Sequence, residues 1–228
     1  MRHPVYRRGL RHGVGAAIEH EEALQALGAG SVIDVGANKG QFALLARALY
    51  PHAPVHAFEP LEPPRRQFQR LFSGDPLTTL HPLALGERSG EATIYISGRE
   101  DSSSLLPITD RQASLFPGTG AVGTTSIAVV RGDDVIDPSA LPRPLLIKLD
   151  VQGYELAALK GMPTLLASAD FVYLEISYVE LYGGQPLAQE VTAFLERAGY
   201  RLTGIYNPSL APDGTHIQAD GLFTRARL

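Results

Sequence analysis

The sequence predicts an α/β protein with a doubly wound, mostly parallel sheet, helices on both faces and an antiparallel hairpin at its C-terminal end. First, a β-branched run that begins at 31–34 turns through two glycines into an apolar helix over 42–49. Second, further apolar runs alternate along the chain with helical patterns, as in parallel sheets. Third, the last two strands, 200–206 and 216–224, have no helix between them and are expected to pair antiparallel.

The other elements follow from hydrophobic spacing and from turn signals. Apolar side chains recur at roughly helical spacing over 15–27, which predicts a helix that covers the sheet ahead of the first strand. The pairs at 207–208 (Asn-Pro) and 213–214 (Asp-Gly) are turn signals between the last two strands. The remaining predicted elements are strand 54–60, helix 63–72, strand 77–85, antiparallel strands 91–97 and 126–130, strands 144–150 and 171–177, and helix 185–198.

Composition predicts one cytoplasmic domain over residues 1–228. The chain is 44% hydrophobic, enough to bury a full core, and its net charge of −4 argues against a nucleic-acid-binding surface. The absence of cysteine excludes disulfides, thiolate catalysis and cysteine-ligated zinc. The basic residues Arg2, Arg7, Arg8 and Arg11 are not followed by an apolar run of signal-peptide or membrane-spanning length.

Two parts of the predicted domain lie outside the alternating pattern. Residues 1–30 are expected to form a helical cap, and 91–131 an inserted β-and-loop lid. A polar segment as long as 98–124 is unusual in a compact domain unless it is functional. It is interpreted either as a lid over cofactor and acceptor or as a disordered insertion. For the acids Asp133 and Asp134, a cap or turn is favoured over a catalytic pair.

The turn after the first strand has the pattern D-x-G-x-N-x-G over residues 34–40. Its glycines allow a ligand to approach the backbone, and the following helix offers free N–H groups. The dinucleotide fingerprint GxGxxG is excluded because Asn38 and Gln41 stand where it needs glycine, and no P-loop pattern is present.

A second acid, Glu59, ends the predicted second strand, 25 positions after Asp34. A carboxylate at this place can accept hydrogen bonds from both hydroxyls of a ribose. Two acids suit a ligand that carries positive charge, and S-adenosylmethionine combines a sulfonium, an ammonium and a ribose. These features fit that cofactor.

At this point the sequence resembles the FkbM family of class I S-adenosylmethionine-dependent methyltransferases. The resemblance lies in VIDVGANKGQF (32–42), AFEP (57–60), DSSSL (101–105), LLIKLDVQGYELAALKG (145–161) and VYLEISYVELY (172–182). It covers roughly residues 30 to 225 and implies the class I sheet, which ends in an antiparallel hairpin. The cofactor-binding residues expected from the motifs and the resemblance together are Asp34, Gly36, Ala37, Asn38, Gly40, Phe58, Glu59, Pro60, Ala84 and Ser103.

The expected catalytic residue is Asp150, at the end of the predicted strand 144–150. Methyl transfer to an alcohol requires removal of a proton, and Asp150 lies in a KxDxxGxE pattern that resembles the family. The alternative is an N-cap of a helix that starts near Gln152, and both roles can coexist. Lys148 lies on the same side of the strand as Asp150 and is expected to form a salt bridge with it.

The expected acceptor-binding residues are Gln152, Glu175 and Tyr178, although core packing is an equal alternative for Tyr178 and for Tyr182. A divalent metal such as Mg²⁺ is possible on Asp150 and Glu175, with Gln152, but is not expected. For His20, a surface position is favoured over a contact with cofactor or substrate.

The expected function is S-adenosylmethionine-dependent O-methylation of a hydroxyl on a small-molecule or sugar acceptor. The resemblance implies a polyketide or a sugar acceptor. The short single-domain build and the DSSSLLP loop (101–107) resemble bacterial members of the family that are associated with sugars of surface glycans or glycolipids. Methylation of a polyketide-type metabolite and a non-catalytic S-adenosylmethionine-binding protein remain alternatives. A nucleic-acid partner is not expected, because no Asn-Pro-Pro-Tyr type motif is present. No membrane span is expected, and a homo-oligomer is possible.

Overall fold

The computed structural model describes residues 3–226, so both ends of the predicted domain 1–228, Arg2 included, lie outside the described part. The strands in that part are β1 (Ser31–Val35), β2 (Val55–Phe58), β3 (Thr78–His81), β4 (Ala84–Leu85), β5 (Gly90–Ser97), β6 (Ala121–Val130), β7 (Leu145–Leu149), β8 (Phe171–Ser177), β9 (Tyr200–Leu210) and β10 (His216–Arg225). The α-helices are α1 (Pro4–Arg11), α2 (Glu21–Leu24), α3 (Gln41–Leu49), α4 (Glu62–Leu71), α5 (Asp110–Leu115), α6 (Glu155–Lys160), α7 (Pro163–Ser168) and α8 (Ala188–Arg197). Short 3₁₀ turns span Ile18–His20, Glu100–Ser102, Gly132–Asp134 and Pro138–Ala140.

The main sheet has seven strands in the order β3-β2-β1-β7-β8-β10-β9. The pairs β3–β2, β2–β1, β1–β7 and β7–β8 are parallel, whereas β10 is antiparallel to both β8 and β9. From β1 the chain adds β2 and β3 on one side of the sheet, and it later adds β7 and β8 on the other side. Sheets of this kind bind ligands at the point between β1 and β7 where the strand order reverses. The predicted sheet, with its C-terminal antiparallel hairpin, is confirmed.

Helices cover both faces of the central strands, which is why β1 and β7 are apolar and buried at nearly every position. Ile33 and Ile147 pack into a core cluster with side chains of α6, α7 and α8. Their neighbours Val32 and Leu146 pack into a second cluster with α3 and α4, because successive side chains of a strand point to opposite faces.

The predicted strand 77–85 is in fact two strands in two sheets. Thr78–His81 is the edge strand β3 of the main sheet, and Ala84–Leu85 is β4 of a three-stranded sheet with the order β4-β6-β5. Pro82 lies between them, and proline has no N–H group with which to continue a ladder. The predicted antiparallel pairing of 91–97 with 126–130 is confirmed, within longer strands.

The N-terminal segment is helical, but its helices differ from the prediction. The predicted helix 15–27 is only a 3₁₀ turn followed by the short α2, because the Ala17 N–H donates to Gln41 O (3.1 Å) and ties the segment to α3. Helix α1 was not predicted. It lies so close to α3 that a Cβ on Gly9 would come within 2.5 Å of Leu44 Cδ1. Within residues 3–226, no helix is long and apolar enough to cross a membrane.

The segment 98–124 is folded, so its interpretation as a disordered insertion is wrong. It contains α5 and the start of β6, and bridges join Tyr95 to Ser104 and Ile108 to Tyr182. The following acid Asp133 is a helix cap, as favoured from the sequence. Its carboxylate accepts hydrogen bonds from the N–H groups of Thr164 (2.8 Å) and Leu165 (2.9 Å) at the start of α7.

Candidate active site

A cavity of about 250 Å³ opens at the carboxyl ends of β1, β2 and β7. Asp101, Ser103, Ser104 and Leu105 of the insertion also line it, and the role of the insertion as a lid stays a prediction. The predicted site residues that line the cavity are Gly36, Ala37, Asn38, Phe58, Glu59, Pro60, Ala84, Ser103, Asp150 and Gln152. The predicted site residues that do not line it are Asp34, Gly40, Glu175 and Tyr178.

The glycine turn brings β1 against the end of β7. A Cβ on Gly36 would lie 1.9 Å from Asp150 O, and the residue has φ of +79°, so only glycine fits there. The Gly36 N–H donates to Phe58 O (3.0 Å), which joins the turn to β2. Packing also requires glycine at position 40, because a Cβ there would lie 2.6 Å from Phe72 Cε2 and the residue has φ of +94°.

Glu59 joins the two loops that follow β1 and β2. It is 6% exposed, and its Oε2 accepts a hydrogen bond from the Asn38 N–H (3.0 Å) while Oε1 accepts one from the Leu61 N–H (2.8 Å). Burial raises the pKa of Glu59 to about 7, although these two backbone donors act to lower it. The side-chain Oδ1 of Asn38 is buried and accepts no hydrogen bond from the described residues.

Asp34 and Lys148 form a buried ion pair beneath the cavity. They are register partners on the adjacent strands β1 and β7, and Lys148 Nζ lies 3.1 Å from Asp34 Oδ1 and 3.2 Å from Gly36 O. Burial alone would lower the pKa of Lys148, but the carboxylates of Asp34 and Asp150 raise it above its ordinary value. The prediction that Lys148 forms a salt bridge with Asp150 was therefore wrong. Lys148 pairs with Asp34 instead, because Asp34 lies directly beside it on the neighbouring strand β1.

Asp150 is oriented through Gln152, which is held by Tyr182 after β8 and by Ser104 of the insertion. Tyr182 OH donates to Gln152 Oε1 (2.5 Å), and Gln152 Nε2 donates to Asp150 Oδ1 (2.7 Å). Ser104 Oγ donates to the backbone O of Gln152 (2.6 Å). Gln152 has a left-handed backbone conformation, with φ of +55°. Oδ2 of Asp150 accepts no hydrogen bond from the described groups, and Asp150 lines the cavity.

Asp150 does not cap the following helix. Helix α6 begins at Glu155, with Tyr154 in the N-cap position, and not near Gln152. The carboxylate of Glu155 reaches back and accepts hydrogen bonds from the N–H groups of Val151 (3.0 Å) and Gly153 (3.2 Å). Burial raises the pKa of Glu155 to about 7. The loop is therefore closed by Glu155, which leaves Asp150 free of a capping role.

Glu175 and Tyr178 lie beside the cavity rather than on its wall. Glu175 sits two residues before the end of β8, below the rim, and accepts a hydrogen bond from Gln218 Nε2 (2.7 Å). Burial, with Asp150 as the next cause, raises its pKa well above the ordinary value. Tyr178 packs edge-on against His216 (5.6 Å between centroids) and against the core. A role for either in acceptor binding stays a prediction.

His20, which the sequence favoured as a surface residue, lines the cavity. Its Nδ1 lies 2.9 Å from Tyr173 OH, 3.1 Å from Asp220 Oδ2 and 3.2 Å from Asn207 Nδ2. Asn207 was predicted to be part of a turn, but it lies inside β9 at a register shift, with φ of +49°. Such a bulge redirects a side chain, here toward Asp220.

Several residues on the cavity wall were not predicted, namely Glu19, Gln41, Phe42, Leu61, Lys148 and Tyr154. Gln41 and Phe42 follow directly on the glycine turn, so their position after Gly40 was a usable signal. For a metal, the described residues contain no group of three or more His, Cys, Asp or Glu side chains that could hold one.

The mostly parallel seven-stranded sheet with its antiparallel C-terminal hairpin, and a cavity between a glycine turn and two acidic strand ends, define a class I methyltransferase fold. The family described as Methyltransferase FkbM domain matches residues 34–202. The chain belongs to this family.

Two curated relatives show how far the similarity extends. "Hexuronic acid methyltransferase AglP" from Haloferax volcanii is 34% identical over 145 residues, which are 63% of this chain and 54% of that protein. "2-O-methyltransferase NoeI" from Sinorhizobium fredii is 29% identical over 162 residues, which are 68% of this chain and 66% of that protein. The chain therefore spans between about half and two thirds of the length of these relatives.

A solved structure of an uncharacterised protein from Listeria monocytogenes has the same fold. It matches with a TM-score of 0.51 and 10% sequence identity, over 91% of this chain and 67% of that chain. At this identity the likeness concerns the fold alone.

Proposed function

We propose that this protein transfers a methyl group from S-adenosylmethionine to a hydroxyl of a sugar acceptor. The observation that carries the proposal is the cavity at the switch point of the sheet. Glu59 and the glycine turn, which are expected to bind the cofactor, line the same cavity as Asp150. Membership of the family supports methyl transfer, and the names of the two relatives support oxygen and a sugar as the target.

The residues of the cavity fit the proposed cofactor. Each oxygen of Glu59 already accepts one backbone hydrogen bond, and a carboxylate oxygen can accept a second, here from a ribose hydroxyl. Asn38 Oδ1 is buried at the cavity without a donor from the described residues, and buried acceptors normally have a partner. A cofactor with hydroxyl and ammonium groups would supply that donor.

In the proposed mechanism, S-adenosylmethionine supplies an activated methyl group and a good leaving group. The protein then has two tasks, to hold the acceptor hydroxyl in line and to receive its proton. Asp150 suits the second task, because Gln152 holds its Oδ1 and leaves Oδ2 available. The residues of segment 101–105 that line the cavity would limit the access of water.

The first test is calorimetric titration of the purified protein with S-adenosylhomocysteine and, separately, with NAD. Micromolar binding of the former and none of the latter is the expected result. Tighter binding of NAD, or no binding of S-adenosylhomocysteine, would overturn the cofactor assignment. Incubation with labelled S-adenosylmethionine and a panel of uronic acids, neutral glycosides and macrolide alcohols, followed by mass spectrometry, then tests the acceptor class.

Glu59→Ala is expected to weaken the binding of S-adenosylhomocysteine by about 1.5–3 kcal/mol, because it removes charge-assisted hydrogen bonds to the ribose. Calorimetry measures the change. Glu62→Ala is the matched control, since Glu62 lies nearby in α4 but is exposed and pairs with Arg66. Equal affinity of the Glu59 variant and the control would contradict the assignment of Glu59.

A further inference from the structure

His20 is held rigidly at the cavity by elements far apart in the sequence. It ends the 3₁₀ turn Ile18–His20, and its Nδ1 edge faces Tyr173 on β8, Asn207 on β9 and Asp220 on β10. The ring also packs edge-on against Tyr173, with 5.5 Å between centroids. The imidazole, with 18% of its side chain exposed, is therefore fixed in orientation at the cavity.

The carboxylate of Asp220 favours a proton on Nδ1 of neutral His20. Asp220 Oδ2 lies 3.1 Å from this nitrogen, and Asn207 Nδ2 donates to the same oxygen (2.8 Å). Burial alone would raise the pKa of Asp220, but hydrogen bonds from His20, Asn207 and Tyr173 outweigh it and lower the pKa below the ordinary value. We therefore assign Asp220 as the acceptor and Nδ1 of neutral His20 as a donor to it. The lone pair of the neutral ring then lies on Nε2, because the hydrogen bond of one ring nitrogen fixes the state of the other.

Nε2 of His20 has no hydrogen-bond partner among the side chains that the structure describes. Its nearest charged neighbour is Glu19 Oε1 at 3.7 Å, beyond hydrogen-bond distance, and both Glu19 and His20 line the cavity. Asp150 and His20 both line the cavity, and neither Asp150 Oδ2 nor His20 Nε2 accepts a hydrogen bond from the described side chains. A ligand with a single hydroxyl could satisfy only one of them.

We infer that His20 is a positioning residue that accepts a hydrogen bond from a second hydroxyl of the methyl acceptor, so that the site selects a polyhydroxylated molecule. This inference rests on the proposed function, since it assumes that the acceptor binds in this cavity beside the cofactor. It assigns Asp150 to the reacting hydroxyl and His20, through Asp220, to the orientation of the sugar.

The site is expected to bind the methyl acceptor more weakly in acid. Protonation of His20 would convert Nε2 from an acceptor into a donor of hydrogen bonds, so that it could no longer accept one from the acceptor hydroxyl. The titratable and charged groups that face His20 are Glu19 on its own turn, Asp220 on β10, Tyr173 on β8 and, more distantly, Asp34 on β1 and Lys148 on β7.

Two substitutions of His20 test the roles of Nδ1 and Nε2 separately. His20→Asn places an amide near the Nδ1 position, which keeps a donor to Asp220 but removes Nε2. His20→Gln places an amide oxygen or nitrogen near the Nε2 position, and its oxygen can accept the hydrogen bond. His52→Asn is the matched control, because His52 is exposed and does not line the cavity.

The experiment measures binding of methyl β-D-glucuronide to the protein saturated with S-adenosylhomocysteine, between pH 5.5 and 8.5. The wild type and His52→Asn are expected to bind the glycoside more tightly as the pH rises. His20→Asn is expected to bind it about tenfold more weakly with a flat pH profile, and His20→Gln to recover most of the affinity. In all four proteins the affinity for S-adenosylhomocysteine should be equal.

Equal glycoside affinity of wild type and His20→Asn would overturn the inference, as would the absence of glycoside binding to a wild type that binds S-adenosylhomocysteine. Failure of S-adenosylhomocysteine itself to bind is a different result, because it overturns the proposed function. Nitrogen NMR of the imidazole in the protein without ligands gives a separate readout. It should report a proton on Nδ1 of neutral His20, and a proton on Nε2 instead would overturn the assignment.

Discussion

Replacement of Asp150 by asparagine is expected to reduce kcat about 100-fold or more while leaving the affinity for S-adenosylhomocysteine unchanged. The amide keeps the shape of the side chain and can still accept a hydrogen bond from Gln152 through its oxygen. It cannot receive the proton of the acceptor hydroxyl. Steady-state turnover of an acceptor found in the screen, together with calorimetry of cofactor binding, measures the two quantities.

The control for this variant is Asp110→Asn, because Asp110 is an exposed acid in the first turn of α5 and does not line the cavity. Turnover of the Asp150 variant within a few fold of that control would remove Asp150 from the proposed mechanism. A loss of turnover that is accompanied by weaker cofactor binding would instead indicate a disturbed loop, since Asp150 N donates to Val35 O (3.0 Å) at the end of β1.

Replacement of Lys148 by methionine is expected to lower the free energy of unfolding by about 3–5 kcal/mol. Methionine fills much of the same space, but it leaves the fully buried carboxylate of Asp34 without its countercharge. An unpaired charge in an apolar core is strongly destabilising. Urea denaturation followed by circular dichroism measures the change at equilibrium.

The double variant Asp34→Asn/Lys148→Met serves as the control for this prediction. It removes both charges, and replacement of a whole buried ion pair costs much less than loss of one partner. The double variant is therefore expected to be more stable than Lys148→Met alone. If the two variants unfold at the same urea concentration, the destabilisation comes from lost packing, for example the contact of Lys148 Nζ with the ring of Phe42 (5.3 Å to the centroid), and not from the charge of Asp34.

Features that depend on neighbouring residues were predicted well. The alternation of apolar runs and helical spacing indicated the parallel strands, and the missing helix between 200–206 and 216–224 indicated the antiparallel hairpin. The glycine at position 36 and the acid at position 59 were found because a turn and a strand end have local signatures. Pro82, which splits a predicted strand between two sheets, was a local signal that was overlooked.

The sequence by itself determined the class of sheet, the family and the turn that forms the floor of the cavity. Only the tertiary structure decided which charged and polar groups meet. Lys148 pairs with Asp34 because β1 and β7 are adjacent and in register, although the two residues are far apart in the chain. His20 meets Asp220 because the 3₁₀ turn before β1 packs against β10, a contact between segments far apart in the chain. The spacing of apolar side chains can be read from each segment alone. Contacts between segments depend on strand order and register, which are determined only when the whole chain packs.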